Sequence, residues 1–198
     1  MVPFRHRGWI KQEAQMAITY TSEARSEEQG SDLLLWVLVW SELAAFGVLL
    51  TGFLVMSILH PESFDVAKLH LSTRLASVNT IVLLASGWQA ALAARGNASV
   101  AAQRTSLLIA AALGFVFVAL KLAEYQAEWK FAGDETFHAF FELYFMITGF
   151  HLAHVAFIAG LFLVVARRPE RSNIVILTTL WHVIDLVWLV MFPLLYLG

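Results

Sequence analysis

Long apolar runs alternate with short polar breaks along most of this chain. The runs cover residues 33–59, 75–94, 105–125, 137–166 and 173–197. About 20 mainly apolar residues cross the hydrocarbon core of a bilayer as a helix. Lipid offers the backbone no hydrogen-bond partner, so a spanning segment is a helix or part of a closed barrel. These runs are too long, and too rich in Leu and Ala, for barrel strands. The pattern predicts an all-α integral membrane bundle of five transmembrane helices. His60-Pro61-Glu62 ends the first span and Arg95-Gly96-Asn97 the second; Gly133-Asp134-Glu135 precedes the fourth, and Arg167-Arg168-Pro169-Glu170 follows it. Short connections predict that consecutive helices are antiparallel neighbours.

Residues 1–31 are polar and mixed in charge, with no apolar core. They read as a cytoplasmic tail, mobile or ordered on a partner, and not as a cleavable signal peptide. The expected organisation is thus a tail over 1–31 and a five-helix domain over 32–198. Arg5, Arg7, Lys11, Arg25, Arg95, Arg104, Arg167, Arg168 and Arg171 fall on one side of the membrane, against Lys68, Arg74 and Lys130 on the other. The positive-inside rule then puts the N-terminus in the cytoplasm and Gly198 outside.

Composition agrees: 59% of residues are hydrophobic and 14% charged, where a soluble domain carries roughly 25% charged residues. The net charge of −2 says nothing useful about partners, no nucleic-acid partner is expected of such a bundle, and the absence of cysteine removes thiolate and iron–sulfur chemistry. No internal repeat suggests a transporter built from duplicated halves.

Ionisable groups inside a span are costly and usually face a bundle interior. Glu42 lies in the first span, His151 and His154 near the middle of the fourth, and His182 and Asp185 near the middle of the fifth. Each i, i+3 pair shares one helix face. A second group lies toward the outer surface: Lys121 and Glu124 late in the third span and Glu142 early in the fourth. Antiparallel packing would bring Lys121 and Glu142 to similar depth as an ion pair. For the midplane group three readings stand: a haem or metal site built on the imidazoles, a proton or ion path carried by Glu42, and interhelical hydrogen bonds that fix packing. Gly47, Gly52, Gly87, Gly114, Gly149 and Gly160 are expected at close helix approaches. Trp36, Trp129 and Tyr196 suit interfacial belts, whereas Trp88, Trp181 and Trp188 lie deeper, as packing or as the lining of a lipid- or partner-facing groove.

At the last two spans the chain resembles subunit III of the haem–copper oxidase superfamily. Thr148-Gly149-Phe150-His151-Leu152-Ala153-His154-Val155 is similar to that family's T-G-x-H-x-x-H-V motif, and Trp181-His182-Val183-Ile184-Asp185-Leu186-Val187-Trp188 to its W-H-x-x-D-x-V-W motif. Ser41-Glu42, then Asn79-Thr80 with Leu83-Leu84-Ala85-Ser86-Gly87, then Glu124-Tyr125 follow the family's earlier blocks in order. The resemblance implies a short, five-helix form without catalytic residues, haem or metal of its own. It further implies bound phospholipid in a cleft and a haem–copper-type catalytic subunit as partner in a bacterial cytoplasmic membrane. By position it makes Glu42 the buried, proton-linked carboxylate and His151, His154, His182, Asp185, Trp181, Trp188 and Asn79 the polar or cleft lining. Lys121 stands where the oxidase subunits typically have Gln, and Glu142 where a small residue is usual. Ser41-Glu42-Leu43-Ala44-Ala45-Phe46-Gly47 and His60-Pro61-Glu62-Ser63-Phe64 look more like the relatives associated with bacterial nitric oxide reductase, the NorE-like branch. That likeness implies an accessory role in denitrification; the alternative is a subunit of a quinol or cytochrome oxidase.

Overall fold

A computed structural model describes residues 6–132 and 137–197, with side chains throughout except at 6–14, 17–32, 34 and 131. All regular structure among them is helical: α1 (His6–Leu59), α2 (Pro61–Lys68), α3 (Thr73–Ala93), α4 (Val100–Ala132), α5 (His138–Arg167) and α6 (Arg171–Tyr196). Five stretches are long and apolar enough to span a membrane: Leu35–Leu59, Thr73–Ala93, Val100–Lys130, His138–Arg167 and Arg171–Tyr196. The chain divides into two compact units, Met1–Glu42 and Leu43–Gly198. In the first, α1 runs as continuous helix through most of the segment expected as a tail. The expected break at Gly133-Asp134-Glu135 lies outside the described residues.

Local chemistry sets the helix ends of the second unit. Pro61, whose ring fixes a helical φ and whose missing N–H is one that a first turn leaves unpaired, opens α2. Ser72 caps α3 by accepting from Leu75 N at 3.4 Å, and Ser99 accepts from Ala102 N at 3.2 Å before α4. Pro169 follows the end of α5.

Helices α3, α4, α5 and α6 close into a ring in which each packs on two others: α3 on α4 and α6, α5 on α4 and α6. The expectation of antiparallel sequential neighbours holds for α3–α4, α4–α5 and α5–α6. It fails for the first span. The 43–59 part of α1 packs through Phe46 on Phe150 of α5, and through Phe53 on Phe64 of α2 and Phe140 of α5. Residues 60–72, which include the unexpected short helix α2, carry the chain sideways before α3 begins. Between α1 and α5 the backbones stand apart. An apolar groove of about 770 Å³ remains there, walled by Ala44, Ala45, Val48, Leu49, Met146 and Phe150.

At the opposite end of the unit from α2, the α3–α4 and α5–α6 connections are tied together. Arg104 donates to Arg167 O at 3.0 Å, and Arg171 to Arg95 O at 3.4 Å. Val48, Ile58, Ile81, Trp88, Phe157 and Leu186 are exposed, an apolar lateral surface that water would not tolerate over this extent and lipid does.

Candidate functional site

The polar groups of the second unit fall into two clusters. The first lies near the middle of the spans. His151 is fully buried, its ring stacked on Trp188 (centroids 5.2 Å apart) and edge-on to Phe117 at 5.7 Å and Phe46 at 6.1 Å. Both its ring nitrogens lack a hydrogen-bond partner among the described residues. His154, one turn on, is half-buried and lies 2.8 Å from Phe150 O through Nδ1, which is therefore the protonated nitrogen. His182 and Asp185 face another way. His182 Nδ1 is 3.6 Å from Asp185 Oδ2, and both side chains line a recess of about 350 Å³ with Leu84, Gly87 and Trp88 of α3. Asp185 Oδ1 is buried without a hydrogen-bond partner among the described residues. Gly87 is required here: a Cβ at that position would collide with Asp185 Oδ2.

Around these groups, hydrogen bonds pin helix to helix. Asn79 donates to Phe117 O at 3.3 Å, Ser86 to Ala110 O at 2.8 Å, Thr178 to Ala90 O at 3.3 Å, and Trp188 Nε1 to Thr80 Oγ1 at 2.9 Å. The two histidine motifs thus serve different surfaces, one the aromatic interior and one the recess. Among the described residues no three His, Asp or Glu side chains gather as a metal ion would need. Trp181 and Trp188 belong to the packed interior, because α6 turns both inward. Trp88 is exposed on the wall of the recess. Glu42, in the first unit, is half-buried.

The second cluster sits at the α2 end. Lys121 is completely buried, and its three ammonium protons meet three acceptors: Glu124 Oε2 at 2.9 Å, Tyr144 OH at 2.7 Å and Tyr196 OH at 2.5 Å. Tyr196 donates to Glu124 Oε1 at 2.8 Å, and Tyr144 OH lies 3.2 Å from Glu128 Oε1. The rings of Tyr144, Tyr196, Tyr125 and Trp188 surround the cation at 4.8, 5.2, 5.3 and 5.5 Å. Three acceptors from α4, α5 and α6, with the surrounding rings, therefore offset a charge that would otherwise be intolerable inside a bundle.

The expected Lys121–Glu142 pair does not form. Glu142 is exposed and pairs with His138 at 3.1 Å. Depth matches, but α5 presents Tyr144 to Lys121 and rotates Glu142 outward. Tyr196, expected at an interfacial belt, is buried in this cluster. Sequence reasoning missed Glu128, Tyr144 and Tyr196 as members. A signal for Glu128 was present, since positions 121, 124, 125 and 128 share one helix face. Of the six glycines expected at close approaches, Gly87 and Gly114 are so placed. A Cβ at Gly114 would come within 2.7 Å of Trp181, but at Gly47, Gly52 and Gly160 it would meet nothing within 4 Å.

Comparison with known proteins follows the same lines. Residues 9–198 match the family described as cytochrome c oxidase subunit III. Cytochrome c oxidase subunit 3 of Synechocystis sp. is 29% identical over 90% of this chain and 82% of its own length. That of Thermostichus vulcanus is 29% identical over 82% of this chain and 85% of its own. Cytochrome bo(3) ubiquinol oxidase subunit 3 of Buchnera aphidicola is 24% identical over 83% and 92%.

Proposed function

Because this chain belongs to the cytochrome c oxidase subunit III family, we propose that it is a non-catalytic accessory subunit of a haem–copper terminal oxidase. It packs sideways against the catalytic subunit in a bacterial cytoplasmic membrane and supports that subunit's proton uptake and durability. The observation that carries this reading is the match over nearly the whole chain, with relatives named as subunit 3 of both cytochrome c and ubiquinol oxidases. The exposed apolar flanks of the multi-pass bundle suit a partner helix or lipid. The groove between α1 and α5 is the place for phospholipid acyl chains, since its lining residues are all apolar or small. The chain supplies no haem or metal in this reading. Its N-terminus lies in the cytoplasm, with the arginine-tied α3–α4 and α5–α6 connections on the same side.

A second reading keeps the family and changes the partner to nitric oxide reductase. It rests on the segments Ser41-Glu42-Leu43-Ala44-Ala45-Phe46-Gly47 and His60-Pro61-Glu62-Ser63-Phe64. The named relatives favour the oxidase. Purification of the tagged chain in mild detergent, with mass spectrometry of what stays bound, tests both. Recovery of the catalytic subunits of an oxidase supports the first reading. Recovery of nitric oxide reductase subunits moves the function to nitric oxide reduction.

A further inference from the structure

The recess between α3 and α6 opens on the lateral surface of the bundle, and its rim is apolar: Leu84, Trp88, Leu186 and Leu189 are all exposed. Its floor is not. Gly87 has no side chain, and the space a Cβ would take is filled by Asp185 Oδ2, with the His182 ring beside it. The His182 side chain is 43% exposed, against 9% for Asp185. Its Nδ1 stands 3.6 Å from Asp185 Oδ2, too far for a good hydrogen bond. Its Nε2 has no hydrogen-bond partner among the described residues, and neither has the buried Asp185 Oδ1.

Depth makes this arrangement costly. His182 lies eleven residues from the start of α6 and fourteen from its end, about 16 Å and 21 Å along the axis. It therefore sits near the middle of a hydrocarbon core roughly 30 Å thick. Phospholipid phosphates, glycerol oxygens and amines stay at the two interfaces, out of reach of this ring. Acyl chains do reach it, but they carry no hydrogen-bonding atom. A polar group left facing hydrocarbon at this depth is strongly disfavoured. What satisfies it at mid-bilayer is another helix, through the hydroxyl or amide side chains that bond across transmembrane interfaces.

From this geometry we propose that the His182–Asp185 recess is the docking site for one transmembrane helix of the catalytic partner. That helix carries a hydroxyl or carboxamide side chain (Ser, Thr, Asn or Gln) at mid-bilayer, which enters between Trp88 and Leu186 and hydrogen-bonds the His182 ring. The proposal rests on the accessory-subunit reading above and assigns it a face. The α3–α6 side meets protein, and the groove between α1 and α5 is left for lipid.

Photo-crosslinking in native membranes tests this, with Trp88 replaced by p-benzoylphenylalanine and the adduct identified by mass spectrometry. The expected adduct is a membrane-spanning peptide of the catalytic subunit that contains Ser, Thr, Asn or Gln. In parallel, His182→Phe keeps the ring and removes both nitrogens. It should lower the catalytic subunit retained on the tagged chain in mild detergent by about 3- to 10-fold, the worth of one interhelical hydrogen bond. Adducts only to lipid, or to a second copy of this chain, overturn the proposal, as does unchanged retention in His182→Phe. If the catalytic subunit co-purifies in those cases, the accessory reading stands without this face. If the wild type retains no catalytic subunit at all, that reading falls and the proposal with it. Should His182→Phe fail to fold, Leu186→Trp changes an exposed residue and fills the recess from its rim. Undiminished retention in that variant overturns the proposal equally.

Discussion

Trp188 Nε1 on α6 donates to Thr80 Oγ1 on α3 at 2.9 Å, while Thr80 itself donates back to Ala76 O at 2.8 Å. The same indole lies edge-on to Phe117 of α4 and stacks on His151 of α5. One side chain therefore joins all four helices of the ring. Trp188→Phe removes the N–H and keeps most of the ring. The expected loss is about 0.6 kcal/mol, the average for an interhelical hydrogen bond in a membrane protein. Trp188→Ala also opens a cavity and should cost about 3–5 kcal/mol. Unfolding of the purified chain in detergent separates the two; equal losses would contradict a packing role.

The Lys121–Glu124 pair makes a prediction about coupling. Lys121→Met leaves Glu124 buried without its cation and should cost about 3–5 kcal/mol, as should Glu124→Gln for the opposite reason. The double variant should lose less than the two singles combined. Strictly additive losses in the double-mutant cycle would show that the two groups do not sense each other. Glu142→Gln, at an exposed position away from this pair, should stay within about 0.5 kcal/mol of wild type.

Glycine substitutions divide by what each Cβ would meet. Gly87→Ala and Gly114→Ala press on Asp185 and Trp181 and should destabilise by about 1–3 kcal/mol. Gly47→Ala and Gly160→Ala enter open space. They should be neutral or stabilising by up to about 1 kcal/mol, because Ala is the better helix former. A melting-temperature series across the four variants suffices, and a uniform response would refute the division.

In the complex with its catalytic partner, Glu42→Gln should lower turnover or shorten the period over which activity lasts, while leaving assembly intact. Turnover followed to exhaustion in the purified complex measures both. Unchanged rate and lifetime would remove Glu42 from the supporting role.

The spans were legible because hydrophobic length alone selects a membrane helix. The far end of α4 was not. Lys121 and Glu124 stood out as ionisable groups inside a span, but Glu128 did not, and the tyrosines around them come from helices distant in sequence. Depth was readable from residue count, and so Lys121 and Glu142 were matched. Rotation about the helix axis was not, and rotation decides that Tyr144 faces Lys121 while Glu142 faces away. The buried state of His151 and Asp185 followed from the cost of ionisable groups in lipid, whereas Asn79 was singled out only by the family resemblance. Their division between an aromatic interior and a lateral recess required the ring closure of α3 with α6. Helix α2 was missed because eight mixed residues carry no span-length signal, although Phe64 and Ala67 are both buried.

Synthesis runs from α4 to α6, and the partners of Lys121 arrive in that order. Glu124 is present at once, Tyr144 enters with α5, and Tyr196 comes only in the final turn of α6. Until then one proton of the ammonium group lacks its hydroxyl acceptor. The last turn of α6 is therefore the closing piece of the cluster, holding the end of the chain's final helix to α4 through Lys121 and Glu124.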